Sequence, residues 1–182
     1  MSMDKVFVGS LRLRVSEVLT EIYPLLEQTQ KYVCLSPLVP IFEGEDLAEI
    51  KRFTPPDTLP FAKMIQRSVQ NRMEKSGLFD TIEMEEVENF KFEADAAYLQ
   101  KARAAEKKFS RIYSIQSAGN QVEVRGYTFP FLLETDPKVH KFLLTSGIGE
   151  LTSEGFGMLD LADHKNVCRL EPYHLQREKM LF

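Results

Sequence analysis

Apolar and polar residues alternate near the start of the chain, with Leu11, Leu13 and Val15 on one side and Arg12 and Arg14 on the other. A period of two from Val6 to Val15 marks a half-buried strand. Val15, Val18, Leu19 and Ile22 also fit the spacing of a helix face, so periodicity leaves residues 15 to 22 open, and Pro24 ends either element. From Lys31 to Phe42, Tyr32-Val33-Cys34-Leu35 and Val39-Pro40-Ile41-Phe42 flank Ser36-Pro37, which predicts an extended strand with its broken end at a sheet edge. Residues 55 to 77 form the clearest helix, with Asp57 or Thr58 to cap it, Phe61, Met64, Ile65, Val69 and Met73 on one face, and Gly77 to stop it. Lys63, Arg67, Asn71 and Lys75 recur on its other face, which reads as a solvated surface.

Further on, Phe90-Lys91-Phe92 suggests a short strand, and Ser110 to Gln116 and Gln121 to Glu134 form two strands joined by the turn Ser117-Ala118-Gly119-Asn120. Asp136-Pro137 supplies a cap and a first-turn proline for a short helix with Val139, Phe142 and Leu143 as its apolar positions, and Gly147 ends it. Phe156 to Leu161 makes a last strand. Strand, helix, two strands, helix, strand is the βαββαβ order of an α+β, ferredoxin-like (RRM-like) fold, with two helices on one face of an antiparallel sheet. The tail from Asp163 to Phe182 reads as an appendage, with a short helix after Pro172.

At 182 residues and 43% apolar composition the chain can fill one ordinary core. Its apolar runs fall far short of a bilayer span and its first residues lack a signal-peptide core, so a soluble, cytoplasmic protein with no membrane partner is expected. Met1-Ser2-Met3 reads as a cloning remnant ahead of Asp4, in which case the natural chain is longer. Cys34 and Cys168 lie in no metal-type spacing and read as free thiols. Net charge is −4, yet the charges are segregated. Seven acids between Asp80 and Asp95 accompany a single Lys91, whereas Lys101, Arg103, Lys107, Lys108 and Arg111 follow with only Glu106 among them. Such a strip is either a solvated face or a local field able to hold a phosphate backbone.

Four glycines in GIGELTSEGFGM, residues 147 to 158, raise the question of phosphate binding. They follow a helix and precede a strand, the reverse of a dinucleotide fingerprint, and no Gly-Lys-Ser/Thr completes a P-loop. A helix cap followed by a close backbone crossing remains as the structural alternative. With its neighbours the stretch is more specific. The run from Asp95 to Leu161 resembles the C-terminal domain of the CRISPR repeat-processing endoribonucleases of the RAMP superfamily, with GIGELTSEGFG in place of that family's GxGxxxSxGFG loop. VCLSPLVP is similar to the family's opening strand with its Ser-Pro step, and VFVGSLRLRVSEVL to the closing strand of the preceding domain, which favours strand over helix at residues 15 to 22.

The resemblance implies a ferredoxin-like domain over 31–162, remnant strands of a preceding one over 1–30, and a tail over 163–182. It also implies binding of CRISPR repeat RNA and a single metal-independent cut per repeat, in which a ribose 2′-hydroxyl attacks the adjacent phosphate; no metal or cofactor is expected. The expected RNA-binding set is Gly147, Gly149, Gly155 and Gly157, acting through backbone amides, with Lys101, Arg103, Lys107, Lys108, Arg111 and Arg125 on phosphates. Where the family often has a basic residue in the loop, this chain has Glu150 and Glu154. Catalytic residues stay unassigned, because the family places them in its N-terminal domain. His140 is expected on the exposed side of its helix between Lys138 and Lys141, and His164, Cys168 and His174 fit no closed zinc site. Tyr98 and Tyr127 are not selected by any spacing, and Tyr127 and Phe129 share a face that reads as core. The alternative is a non-catalytic subunit that assembles with other CRISPR-associated proteins or with a second copy of itself.

Overall fold

The computed structural model describes residues 6–8, 10–22, 25–40, 51–80, 84, 89–117, 120–162 and 170–172. The chain divides into two compact units, Leu26–His164 and a second made of Met1–Leu25 with Lys165–Phe182. In the second unit β1 (Val6–Val8) pairs antiparallel with β2 (Leu11–Leu13), and β3 (Leu19–Glu21) with β10 (Leu170–Pro172). Residues 19 to 21 are therefore strand, and part of the tail joins them in a ladder. A helix after Pro172 would lie outside the described residues.

The first unit is built on a four-stranded antiparallel sheet in the order β5-β8-β4-β9, formed by β4 (Thr29–Cys34), β5 (Lys91–Ala94), β8 (Phe131–Glu134) and β9 (Leu159–Leu161). Helices α1 (Leu59–Ser76) and α3 (Pro137–Ser146) follow the first and third of these strands, completing the ferredoxin-like βαββαβ order. Between β5 and β8 the chain inserts α2 (Ala96–Ala104) and a separate hairpin of β6 (Ser110–Ser117) and β7 (Asn120–Tyr127).

This corrects the sequence reading in two places. The predicted strand 121–134 breaks at Pro130, and only its second half enters the main sheet, where it pairs with β4 and β5 and not with β6. Helix α2 was not foreseen, since only Leu99 and Ala102 of its nine residues are buried.

Cross-strand register puts Ala94, Phe131, Tyr32 and Leu161 in one row on the helix-covered side of the sheet. The predicted apolar stripe of α1 packs on this side, with Phe61, Met64, Ile65, Val69 and Met73 all buried. Phe61 gathers Phe92, Tyr127 and Phe129 at centroid distances of 5.8, 5.0 and 5.8 Å, so Tyr127 and Phe129 belong to the core. The helix begins at Leu59, after Thr58, one of the two residues expected to cap it. Thr58 holds the cap position but donates its hydroxyl to Pro55 O at 2.7 Å, and the Asp57 carboxylate is engaged by Arg103.

His140 is buried, not exposed. Its Nε2 faces the Gln28 carbonyl at 3.0 Å and must donate, which leaves Nδ1 to accept from the Tyr32 hydroxyl at 2.8 Å. Lying between Val139 and Leu143 on α3, it ties that helix to β4. Burial depresses its pKa below the ordinary imidazole value, opposed by the Gln28 contact and the Asp136 charge. The unfolded chain therefore takes up a proton before the folded one does. Stability contributed by the neutral ring is complete above about pH 6.5 and declines below it by at most about 1.4 kcal/mol per pH unit. Urea midpoints measured from pH 7.5 to 5 should show this decline, and His140→Gln should flatten it; equal slopes would contradict the assignment.

Candidate nucleic-acid interface

The glycine-rich stretch joins α3 to β9 as a compact, internally bonded loop. Asp136 caps α3 by accepting the Lys138 N–H at 2.7 Å, and Gly147 ends it with its N–H on Leu143 O at 2.8 Å. From there the chain crosses the Ser36-Pro37 segment. Gly157 N donates to Pro37 O at 2.8 Å, Glu150 N to Val39 O at 2.9 Å, and Ile148 N to Gly157 O at 2.9 Å. Ser36 Oγ accepts from Met158 N at 2.8 Å, and Leu35 N donates to Met158 O at 2.8 Å, which delivers the chain into β9 alongside β4.

Glycine is required where these strands of backbone touch. A Cβ on Gly157, which sits at φ +71°, would lie 2.0 Å from Ile148 O, and one on Gly149, at φ +79°, would lie 2.8 Å from Val39 O. Gly155 also has positive φ, yet a Cβ there would meet nothing within 4 Å. A 3-10 turn over Thr152–Glu154 lies between, and Gly155 N and Phe156 N bond back to Thr152 O and Leu151 O. The amides of Gly147, Ile148, Glu150, Glu154, Gly155, Phe156 and Gly157 are thus all taken up by backbone carbonyls. What these glycines demonstrably do is shape the loop.

Arg72 of α1, absent from the sequence reading, reaches under the loop. Its Nη1 donates to Gly147 O at 2.8 Å and Gly149 O at 3.3 Å, and its Nη2 to Ser146 O at 2.6 Å and Ser146 Oγ at 2.8 Å. The guanidinium also lies 5.6 Å from the Phe142 ring centroid. One signal was available: Arg72 falls three and four residues after Val69 and Ser68, both buried, which puts it at the margin of the apolar face.

The predicted basic strip is only partly assembled. Lys101 and Arg103 lie on α2, and Lys107 and Lys108 on the link to β6. That link begins with Glu106 at φ +52°, whose N–H bonds Arg103 O while Lys107 N bonds Ala102 O at 2.8 Å, the paired closure usually made with glycine. Arg103 makes a two-pronged pair with Asp57, both contacts at 2.9 Å, and the Asp57 carboxyl is held below its ordinary pKa chiefly by that bond. Arg125 is likewise engaged, with Nε on Lys51 O at 2.7 Å and its guanidinium over Phe53. Lys101, Lys107, Lys108 and Arg111 are exposed, with no side-chain hydrogen bond or ion pair among the described residues.

Register separates the two arginines of the hairpin. Arg125 opposes Ile112, and Arg111 opposes Gly126, so they occupy opposite faces. Arg111 shares its face with Tyr113, whose ring meets Phe156 of the glycine loop edge-on at 5.5 Å. Loop, hairpin face and Arg111 therefore adjoin. By contrast, the helix-free side of the main sheet carries Lys31, Val33, Lys91, Glu93, Leu132, Glu134 and Asp160, with no exposed aromatic among the described residues. Stacking of bases on the sheet, the usual RRM mode, lacks its rings there.

Lys63, Arg67 and Asn71 line an open groove of about 580 Å³ along α1. No cluster of three or more metal-ligating side chains occurs among the described residues, and no described helix is long and apolar enough to cross a membrane. His164, Cys168 and His174 lie outside the described residues. Cys34 is a free thiol that donates to Phe129 O at 3.3 Å, its pKa pushed up to about 11 by burial.

The crossing makes a graded prediction. Gly155→Ala should cost about 1–2 kcal/mol, the left-handed strain alone. Gly157→Ala adds a backbone clash and should cost more than about 3 kcal/mol. Equal losses in urea unfolding would show that the close approach does not constrain the loop.

The family model for CRISPR associated protein Cas6, C-terminal, matches residues 21–161. Three solved structures are similar in fold. The product of a Cas6-related gene from Pyrococcus furiosus superposes with a TM-score of 0.59 at 17% identity over 89% of this chain. A RAMP protein binding different RNA substrates gives 0.56 at 18% over 87%, and a CRISPR associated protein Cas6 gives 0.56 at 20% over 88%. The chain spans 59% of the length of each of them. No curated protein matches it by sequence. With the family pattern running from the end of β3 to the end of β9, the chain belongs to the Cas6 family of CRISPR-associated proteins, matching its C-terminal part.

Proposed function

We propose that this chain holds CRISPR repeat RNA for processing, and that the RNA backbone runs along Lys101, Lys107, Lys108 and Arg111 beside the glycine loop. The observation that carries this reading is the set of four exposed cations on a protein of net charge −4, the last of which, Arg111, shares a hairpin face with the Tyr113 ring that meets the glycine loop. Gly147, Gly149, Gly155 and Gly157 shape the surface in this reading, while Arg103 and Arg125, already engaged by protein groups, border it.

The accompanying reaction is cleavage without a metal. A base takes the proton of a ribose 2′-hydroxyl, the oxygen attacks the adjacent phosphorus, the bond to the 5′-oxygen breaks with protonation of the leaving group, and a cyclic phosphate remains. His140 does not suit the role of base, since both ring nitrogens are bonded inside the core. In this reading the described cations serve binding and orientation, and no described residue is assigned the proton transfers.

Reversing the charge of Lys107 and Lys108 together should weaken repeat-RNA binding and reduce the slope of log Kd against log salt by about 1.4 if each contacts one phosphate of a single strand. Unchanged affinity and slope would remove the strip from the interface. A second reading, a subunit for protein assembly, is favoured by Phe7, Leu11 and Leu13 of the β1–β2 pair, which are 69%, 62% and 47% exposed. Light scattering after size exclusion discriminates: a monomer that binds RNA argues against assembly of this chain with itself.

A further inference from the structure

We infer that Arg72 is the positioning residue of the glycine loop, holding it in the shape that presents the Phe156, Tyr113 and Arg111 surface to RNA. This rests on the proposed RNA-holding function. The last carbonyls of a helix lack partners within it, and the end carries partial negative charge. At the end of α3, Ser146 O, Gly147 O and Gly149 O converge on one guanidinium, which also bonds the Ser146 hydroxyl. Only a planar fork with several N–H donors can serve these acceptors together; an ammonium on a lysine stem is a single point donor group.

The contacts run from this clamp to the outer surface without a gap. Gly147 and Gly149 flank Ile148, whose N–H bonds Gly157 O, and Gly157 follows Phe156, whose ring rests edge-on against Tyr113. Tyr113 lies two residues from Arg111 on the same face of the hairpin. Movement of the α3 end would therefore carry Phe156 with it. Arg72 also has a charge role. The Glu150 carboxylate acts on it electrostatically, so a cation from α1 offsets an acid in a loop that has no basic side chain of its own.

Arg72→Lys and the milder Ser146→Ala, which removes one of the four acceptor groups, test this by two readouts. Hydrogen exchange of the Ile148, Glu150 and Gly157 amides should quicken roughly tenfold or more in Arg72→Lys and less in Ser146→Ala, while the amides of β4 and β8 stay protected. Repeat-RNA affinity should fall roughly tenfold in Arg72→Lys with the salt slope unchanged, because preorganisation is lost and no phosphate contact is. Unchanged loop exchange would overturn the positioning role whatever the RNA does. Faster exchange with unchanged affinity would reduce Arg72 to a structural residue. A smaller salt slope would make it a direct phosphate contact. If the unmodified protein does not bind the repeat at all, the functional reading fails, and the exchange data still decide whether Arg72 holds the loop.

Discussion

The structure depends on one backbone crossing, where Gly157 passes so close to Ile148 that any side chain would enter the Ile148 carbonyl. The contact closes the loop on itself through Ile148 N on Gly157 O. It also brings Gly157 N to Pro37 and Met158 N to Ser36. Those ties set where β9 meets β4, with Cys34 opposite Leu159, and so place one edge strand of the sheet. A stretch rich in glycine is commonly read as flexible. Here Gly149 and Gly157 do the opposite, letting backbone segments pack at distances that Cβ atoms would forbid.

Electrostatics follow from how this frame distributes its cations. Arg72, Arg103 and Arg125 are engaged by carbonyls or carboxylates, whereas Lys101, Lys107, Lys108 and Arg111 have no such partner among the described residues. Sequence spacing puts Arg103 in one strip with Lys101, Lys107, Lys108 and Arg111, but two kinds of work are involved. Engaged arginines fix geometry through planar, multidentate hydrogen bonds, and unengaged cations supply a field that salt can screen. The helix-free sheet face carries charged pairs such as Lys91 with Glu134 in place of aromatic rings, so the proposed RNA contact would rest on phosphates and loop shape over stacking on the sheet.

Much of this was legible in the chain. The apolar face of α1, the Asp136-Pro137 start of α3, the hairpin and the order of the main elements follow from local periodicity and capping, which short segments carry in full. Sheet membership did not, because nothing local says that Leu132 and Leu133 pair with β4 and β5 while Val122 and Val124 pair with β6. That choice is made by burial of Phe131 and Leu133 beneath the helices. His140 was misplaced because its lysine neighbours suggested solvent, although it stands beside Val139 on the buried side of α3 and finds Tyr32 across the interface. Two loop amides that could have faced a ligand are taken up at long range: Gly157 N–H by Pro37 O and Glu150 N–H by Val39 O, acceptors more than a hundred residues earlier and beyond the reach of pattern.

The central claim is that this chain grips CRISPR repeat RNA by its exposed cations beside a rigid loop. Its most direct test is incubation of the protein with labelled repeat RNA from the same genome in EDTA, scoring retardation and cleavage together. Salt-sensitive retardation of the repeat is the predicted result. A protein that leaves the repeat unbound at low salt would contradict the account.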